Sequence, residues 1–361
     1  MSEQPLTMTA SALRASIRFW QWFWRLRRFH GSIAVVVIIM SASSTGAVSI
    51  LGPPSDFLAQ PQNVVVRAMA RGDKPHGQPM RGESADAQTI FRRLETLYGK
   101  APRRLVVRMD AQTRRSVHAG TSYLLVYSAL QRVPRTRGVF EPDPGGPRLL
   151  EAPAVGPLLL ADSADLRLLV LPPVAQTPQA ARARLDAVLR VLATAEPRSA
   201  RFAAAELLFR RDLRAAVGVA DIEPLAAAIE RADIDPQLQD LLLRAAEPLG
   251  GIAGGVWLLR ASKRVLANHD LRPAFASYVP SLLEAAAAAL ATVGSGEDAA
   301  VLVRHLRSQH PGVAKAALRS LDALDPAAAR RAATAALDAR DLPSENRQVL
   351  ERYLGGAAAG T

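Results

Sequence analysis

The sequence predicts an α+β protein of several domains: an N-terminal signal or anchor helix, a small β-barrel-like domain and a C-terminal α-solenoid of stacked helix pairs. Three observations support this fold class. A basic segment precedes a short apolar run near the N-terminus, short β-branched runs alternate with Pro and Gly clusters in the middle, and a long segment rich in Ala, Leu and Arg follows. We place the three regions at residues 1–50, 59–172 and 178–355.

The composition limits the chemistry that the 361-residue chain can perform. It contains no Cys, which excludes thiol nucleophiles, thiolate zinc sites and disulfide frameworks. The 45 basic and 33 acidic residues give a net charge of +12, a balance that suits nucleic acid or an anionic surface. However, 41 of the basic residues are Arg and the chain is rich in Ala, which is typical of GC-rich coding sequences. The charge alone therefore does not identify a partner.

The N-terminal region has the layout of a cleaved export signal. Its first 31 residues carry five Arg and one Glu ahead of the apolar run Ile33–Met40, and the small, hydroxylated stretch Ser41–Ser49 follows. Cleavage after Ala47 or Ser49 fits this layout. Because basic flanking residues stay in the cytoplasm, the chain beyond about residue 50 is expected on the far side of the membrane.

A retained membrane anchor is the alternative. Residues 32–51 are 20 residues without a charge, about the length that crosses a bilayer as a helix. Phe19–Trp24 contains three Trp residues, which suit a membrane interface. A core helix of a cytosolic domain is a third interpretation. The first two predict a protein that is periplasmic, or anchored in the inner membrane and facing the periplasm.

Residues 63–171 show the pattern of short strands separated by turns, which predicts a small barrel or sandwich. The strand candidates are Asn63–Arg67, Arg104–Met109, Thr121–Leu130, Pro157–Ala161 and Leu166–Leu171. Thr89–Tyr98 fits either a strand or a helix, since its apolar residues also share one helical face. The segments 71–86 and 132–149 are expected to be exposed, irregular loops.

Two short motifs in this region resemble a known class of domain. Arg93–Pro102 ends in a Leu-x-Gly-x-x-Pro turn, Val106–Arg108 follows, and Ala119–Val126 contains Gly-x-x-Tyr-Leu-Leu. These segments are similar to exported bacterial domains with an OB-type, netrin-like barrel. The resemblance implies a barrel across residues 63–171 and a strand at 89–98. Inhibitory members of that class rely on an N-terminal Cys, so protease inhibition is not carried over to this chain.

The C-terminal half contains a repeat of two helices. One copy consists of Asp221, Leu225, Ile229, Pro236 and Leu243, and the other of Asp298, Leu302, Leu306, Pro311 and Leu318. The first copy has two extra residues before its Pro. Apolar residues four apart form one stripe on each helix, and Pro suits the first position of the second helix. Because one pair cannot bury its stripe alone, several pairs must stack.

This arrangement is similar to HEAT repeats, which implies a concave surface for binding another protein. The units are expected at 178–217, 221–249, 253–294, 297–324 and 326–354, or four to five helix pairs. Ala285–Ala289 would let neighbouring helices approach closely, and Gly250–Gly255 marks a break or tight turn. The tail from Gly355 to Thr361 is expected to be too flexible to pack.

No catalytic, cofactor or metal site is predicted. The six His residues lack the i, i+4 spacing of a helical metal pair. His305 is therefore assigned to a helix face and His310 to a turn before Pro. Gly250–Gly255 is not followed by the Lys and the Ser or Thr of a phosphate-binding loop.

The charged residues are expected to have mainly structural roles. Asp162, Asp165, Asp233 and Asp235 occur in turn-like sequence and are assigned to capping and turns. The Arg-rich segment Leu208–Arg214 is expected to provide solvated faces and salt-bridge partners. A basic groove along the repeats is the alternative, and it would bind an acidic protein, an anionic glycan or lipid headgroups.

These observations favour a non-catalytic exported protein that acts as a binding or scaffold module in the bacterial envelope through its helical-repeat surface. A protein partner is expected, together with membrane contact if the N-terminal segment is not cleaved. Nucleic acid is not expected, because of the predicted export and because the barrel has few aromatic residues for stacking. Two alternatives stay open: an enzyme or enzyme accessory with its site in the β domain, and an inhibitor-like or nucleic-acid-binding barrel.

Overall fold

The computed structural model describes residues 52–73, 87–128, 131–132, 140–141, 147–152, 155–173, 177–194, 196–231, 234–269 and 277–358. The predicted signal or anchor, residues 1–50, lies outside these ranges, as do most of the loops predicted at 71–86 and 132–149. Within them the protein is mixed α and β, mainly helical with one five-stranded antiparallel sheet. No helix in these ranges combines the length and the apolarity that a bilayer crossing requires.

The described strands are β1 (Asn63–Asp73), β2 (Ala87–Tyr98), β3 (Arg104–Met109), β4 (Ser122–Ser128), β5 (Gln131–Arg132), β6 (Phe140–Glu141), β7 (Glu151–Ala152), β8 (Gly156–Pro157) and β9 (Leu159–Ala161). The described helices are α1 (Pro54–Leu58), α2 (Ala111–Arg115), α3 (Ala164–Val170), α4 (Pro178–Leu192), α5 (Pro197–Phe209), α6 (Arg211–Ala215), α7 (Ile222–Glu230), α8 (Pro236–Ala246), α9 (Val256–Asn268), α10 (Val279–Val293), α11 (Ala300–Val303), α12 (Pro311–Leu324), α13 (Pro326–Leu337) and α14 (Ser344–Ala358). Short 3₁₀ turns at Val219–Asp221, Glu247–Leu249, Ile252–Gly255, Gly296–Asp298 and Arg304–Arg307 lie between them.

The main sheet has five strands and an irregular register. Its strand order is β3-β2-β1-β4-β9, and all neighbouring strands are antiparallel. The β1–β2 register shifts at three places along β1, and such bulges increase the twist of a strand pair. Outside this order, Arg148 pairs with Arg108 of β3 and Leu149 pairs with Tyr127 of β4. A two-residue segment thus contacts strands that are three places apart in the sheet.

Alternate residues of β1 face two different hydrophobic cores, as the two-residue period of a strand requires. Val65 belongs to a core that the sheet shares with the helices. Val64 and Val66 belong to a second core that lies on the other side of the sheet. There the rings of Phe91 and Tyr123 meet edge to face, with their centroids 6.4 Å apart.

Helices α4 to α14 form two layers that follow the order of the chain. In one layer α5, α8, α10 and α12 contact one another in sequence, and α12 also contacts α14. In the other layer α4, α7, α9 and α11 contact one another in sequence. Helices α4 to α13 lie within the ranges expected from the sequence, whereas α14 runs past residue 354 to Ala358. The aligned apolar residues Leu225, Ile229, Leu302 and Leu306 are all buried.

Small side chains allow the close packing of α10. Ala285, Ala286 and Ala287 are buried where this helix contacts α8, α9 and α12. The hydroxyl of Ser320 in α12 donates to the backbone carbonyl of Ala287 at 2.8 Å. The close approach predicted for the Ala run is therefore confirmed by a hydrogen bond onto the helix backbone itself.

Most of the predicted strands are confirmed. The candidates at 63–67, 104–109, 121–130 and 157–161 coincide with β1, β3, β4 and the β8–β9 region, and Thr89–Tyr98 lies within β2. The strand choice for Thr89–Tyr98 rested on the barrel resemblance rather than on its periodicity.

One strand prediction is wrong. Leu166–Leu171 belongs largely to helix α3, because the side chain of Ser163 accepts the N–H of Leu166 at 3.1 Å and so caps a helix. Its buried residues Leu166, Leu169 and Val170 follow helical spacing. This spacing cannot be recognised in the sequence, because nearly every residue of the segment is apolar. The tail predicted as flexible from Gly355 continues α14 as far as Ala358.

Glu206 joins three helices in the interior. Its carboxylate is completely buried and accepts the backbone N–H and the hydroxyl of Ser55, in α1, at 2.7 and 2.9 Å. Nε of Arg210 donates to it at 3.0 Å and Nη2 of Arg184, in α4, at 3.3 Å. Arg184 also donates to three carbonyls at the C-terminal end of α3. One acidic side chain thus connects α1, α4 and α5.

The charges of this cluster depend on one another. Burial raises the pKa of Glu206 and lowers that of Arg184, so each charge is retained only through its partners. Four donors converge on Glu206, which fits the ionised, acceptor-only form of the carboxylate. Arg210 is a salt-bridge partner, as predicted for Leu208–Arg214, but at 6% exposure it does not lie on a solvated face.

Glu206→Gln removes the charge while it keeps the shape of the side chain. Because the buried guanidinium of Arg184 then lacks its carboxylate, and that of Arg210 retains only the more exposed Asp56, we expect the free energy of unfolding to fall by about 3–5 kcal/mol. Urea denaturation of the full chain measures this loss. The matched control is Asp165→Asn, which breaks the exposed ion pair with Arg190 and should leave the unfolding midpoint almost unchanged. Equal shifts in the two variants would contradict a special role for the buried carboxylate.

Candidate functional site

Two Asp residues that the repeat alignment places in register have the same structural role. Asp221 and Asp298 each accept the backbone N–H of the residue three positions earlier, at 2.8 Å. Each also binds a cation of the preceding helix pair. Arg182 donates twice to Asp221, at 2.6 and 2.8 Å, and Lys263 forms an ion pair with Asp298. These hydrogen bonds from the cations hold the pKa of both carboxyls below the usual range.

Side-chain donors cap each helix pair from the pair that follows it. The last carbonyls of a helix have no partner within the helix, and a positive charge is favourable there. The donor and acceptor residues are Arg231 with Leu192 and Thr194, Arg264 with Glu230, Arg304 with His269, His305 with Leu266, and Asn346 with Leu306 and Ser308. These bonds fix the position of each pair on the next, and thereby the shape of the grooves between them.

His305 is the titratable donor of this set. It is completely buried, and its Nε2 lies 2.8 Å from the carbonyl oxygen of Leu266. Because a carbonyl only accepts, Nε2 carries the hydrogen, and Nδ1 has no hydrogen-bond partner among the described residues. A second proton would be placed on that buried, unpartnered nitrogen. Burial accordingly lowers the pKa of His305.

An open groove of about 610 Å³ lies between α12 and α14. The α12–α14 groove is lined by Pro311, Gly312, Lys315, Leu318, Arg319 and Asp322 from α12, and by Glu345, Gln348, Val349, Arg352 and Tyr353 from α14. Positions 312, 315, 319 and 322 are three or four residues apart and form one stripe along α12. Positions 345, 348 and 352 form the facing stripe on α14. Two polar stripes therefore border a partly apolar floor.

The charges in the α12–α14 groove are unevenly paired. Asp322 accepts the hydroxyl of Tyr353 at 2.6 Å. Burial and this hydrogen bond raise the pKa of Tyr353 to about 12. Lys315 and Arg319, in contrast, contact no carboxylate within the described part of the chain. The groove therefore presents cations whose charge the protein does not itself neutralise.

A second open groove, of about 450 Å³, lies between α7 and α9. Its lining is mainly small and apolar, with Trp257 at one side. Val219 in the lining and Val256 beside it are 69% and 65% exposed. Arg260 and Glu230, which also line it, form an ion pair at 2.7 Å. This α7–α9 groove thus has fewer charged residues than the α12–α14 groove, and two of its three charged side chains pair with each other.

The Asp residues singled out in the sequence have structural partners. Asp235 caps α8 by accepting two backbone N–H groups at 2.9 and 3.0 Å, as predicted. The capping assignment is wrong for Asp162, which instead binds Arg67 at 2.5 Å and Arg167 at 2.8 Å. The sequence around Asp162 looked like a turn because it lies between β9 and α3. Asp233 lies outside the described residues.

Gly250–Gly255 forms the predicted break. Ala253, Gly254 and Gly255 have φ values of 54°, 69° and 72°, and these left-handed conformations end one helix pair before α9 begins. His310 precedes Pro311 at the start of α12, as assigned. Of these two segments, only Ala253 and Pro311 line a groove: Ala253 the α7–α9 groove and Pro311 the α12–α14 groove.

Across the described ranges, no three His, Asp or Glu side chains are grouped as a metal ion would require. A scan against protein-family models, a search of curated proteins and a search of solved structures each gave no significant match to this chain.

His305→Gln keeps a donor to Leu266 but does not titrate. A His whose pKa is lowered by folding binds protons more readily when the chain is unfolded, so stability is lost as the pH falls below about 6.5. We expect the free energy of unfolding to decrease less steeply from pH 7 to pH 5 in the variant than in the wild type, as measured by urea denaturation. Identical slopes in the variant and the wild type would show that His305 does not titrate in this range.

Asp322→Asn tests the hydrogen bond inside the α12–α14 groove. The variant removes the negative charge beside the hydroxyl, so the pKa of Tyr353 should move from about 12 toward the usual value near 10. An NMR titration of ¹³C-labelled Tyr side chains measures it. Asp338→Asn, at the end of α13, serves as the charge-matched control and should leave Tyr353 unaffected. A Tyr353 pKa that stays near 12 in the Asp322 variant would argue against this bond in solution.

Proposed function

We propose that the protein is a non-catalytic, exported binding or scaffold protein that presents a HEAT-like α-solenoid to a protein partner in the bacterial envelope. The observation that carries this proposal is the stacking of helix pairs in two layers, with an open groove between neighbouring helices in each layer. A surface of this kind gains affinity from many modest contacts along its length. It suits recognition of another protein better than conversion of a small substrate.

The recurring contacts between units support the repeat interpretation. Asp221 and Asp298 occupy equivalent places and bind a cation of the unit before. Each junction between helix pairs carries a donor that caps the earlier pair. In a stacked repeat such nearest-neighbour bonds fix the curvature of the whole surface.

We propose a supporting role for the β-rich region and a periplasmic location. The five-stranded sheet, its second core and the segment Arg148–Leu149 that contacts β3 and β4 support a barrel-like domain. Its other face shares a core with the helices, which suits a platform that holds the first helix pair. The location is supported by the basic and apolar N-terminal sequence.

Affinity capture with the full chain after cross-linking in the envelope tests the function. We expect one partner to be recovered reproducibly by the wild type and lost when either groove is altered, by Val219→Asp with Val256→Asp or by Lys315→Glu with Arg319→Glu. These positions are exposed, so the fold should survive, which circular dichroism checks. Quantitative mass spectrometry of the captured proteins provides the measurement.

The control alters the β-rich region instead, by Arg103→Glu with Arg104→Glu, two exposed positions at the start of β3. It should capture the partner as well as the wild type does. Loss of the partner only in this control would move the binding function to the β domain. A partner that no variant affects would contradict binding through the helical surface.

A further inference from the structure

We infer that the α12–α14 groove binds an acidic amphipathic helix of the partner protein. This inference rests on the proposed binding function and specifies the chemistry of the segment that is bound. It is drawn from the pairing of charges over the helical stack, the shape of the groove and the distribution of its apolar residues.

The first argument is the contrast between the two layers of helices. In the layer that begins with α4, four cations that reach a neighbouring unit form ion pairs: Arg182 with Asp221, Arg260 with Glu230, Lys263 with Asp298 and Arg307 with Asp341. On the walls of the α12–α14 groove, Lys315 and Arg319 have no such carboxylate among the described residues. An external carboxylate would give them the kind of partner that those four cations have.

The second argument concerns the acidic groups of the groove. Asp322 is occupied by the Tyr353 hydroxyl and is thereby held at one end of the stripe. Glu284 lies against Gly312 at the other end, where any β-carbon would overlap its carboxylate. Between these ends α12 presents Lys315 and Arg319, one helical turn apart on the same face. Across the groove, α14 contributes Glu345 and Arg352, so the lining holds three cations against two carboxylates, one of which accepts the Tyr353 hydroxyl. Acidic side chains of a partner would meet this excess of positive charge.

The third argument is the shape of the site. Leu318 and Val349 provide apolar surface between the two polar stripes. The stripe from Gly312 to Asp322 spans ten residues, or about 15 Å of helix. A space between two neighbouring helices suits a third helix, whose apolar residues at i, i+3 and i+4 fill the floor while its flanking residues face the walls. Glu or Asp on both flanks complements Lys315, Arg319 and Arg352.

A fluorescein-labelled helical peptide of 14 residues, with a Leu seam flanked by Glu, is the probe that we would titrate with the purified full chain. Fluorescence anisotropy measures its binding. We expect the affinity to fall with added salt and to drop at least about tenfold in the double variant Lys315→Glu with Arg319→Glu. Lys315→Gln with Arg319→Gln, which removes the charge without reversing it, should give a smaller loss.

The matched control is Arg331→Glu with Arg340→Glu, which changes the net charge equally at exposed positions outside the groove. It should bind the peptide within about twofold of the wild type. A peptide with Lys in place of Glu should not bind. Equal losses in the groove and control variants would overturn the inference, because binding would then depend on net charge alone.

Two further outcomes would also overturn it. The first is absence of peptide binding by a folded wild-type chain, and the second is preferential binding of phosphatidylglycerol vesicles that the peptide does not displace. If the peptide does not bind the wild type, but a groove variant still fails to capture the cross-linked partner, only the acidic-helix inference is wrong. If no groove variant affects capture of the partner, the proposed function is wrong as well.

Discussion

The buried carboxylate of Glu206 is the constraint on which the arrangement of the helices and the sheet depends. An ionised group in an apolar interior is tolerated only when its hydrogen-bonding capacity is filled. Ser55 from α1, Arg184 from α4 and Arg210 next to α5 fill it together. Since Ser55 lies just before β1, the same bonds fix where the chain enters the sheet. Hydrophobic contact alone tolerates small displacements of packed elements, whereas this cluster requires all of its donors in place.

Several Arg residues stabilise this fold as hydrogen-bond donors to the backbone. Arg231, Arg264 and Arg304 each donate to carbonyls at the end of a helix in the preceding pair, and Arg184 donates to three at the end of α3. A guanidinium group has several donors in a fixed plane and can serve two carbonyls at once. Part of the surplus of positive charge is therefore explained by helix capping, and it does not indicate a polyanionic partner.

The sequence predicted most strands and the boundaries of the helix pairs, because both follow from local periodicity and from Pro and Gly. The prediction of a strand failed at Leu166–Leu171. There the helix cap provided by Ser163 determines the local structure, and the short apolar run does not. Glu206 gave no signal at all, since its partners Ser55 and Arg184 are 151 and 22 residues away. Gly312, Lys315, Arg319 and Asp322 share one face of α12, but nothing in the sequence distinguished that stripe from an ordinary solvated helix face. Only the packing of α14 beside α12 shows that a second stripe faces it.

The direction of the capping bonds at the unit junctions has a consequence for how the polypeptide matures. Every one of these donors belongs to a later unit and reaches back to an earlier one, as Asn346 does to Ser308. Synthesis and the proposed export both proceed from the N-terminus, so a unit that emerges first keeps open carbonyls until the following unit has emerged. Assembly is then vectorial: each newly made segment locks the one before it, and the most recently made segment remains the least protected from unfolding.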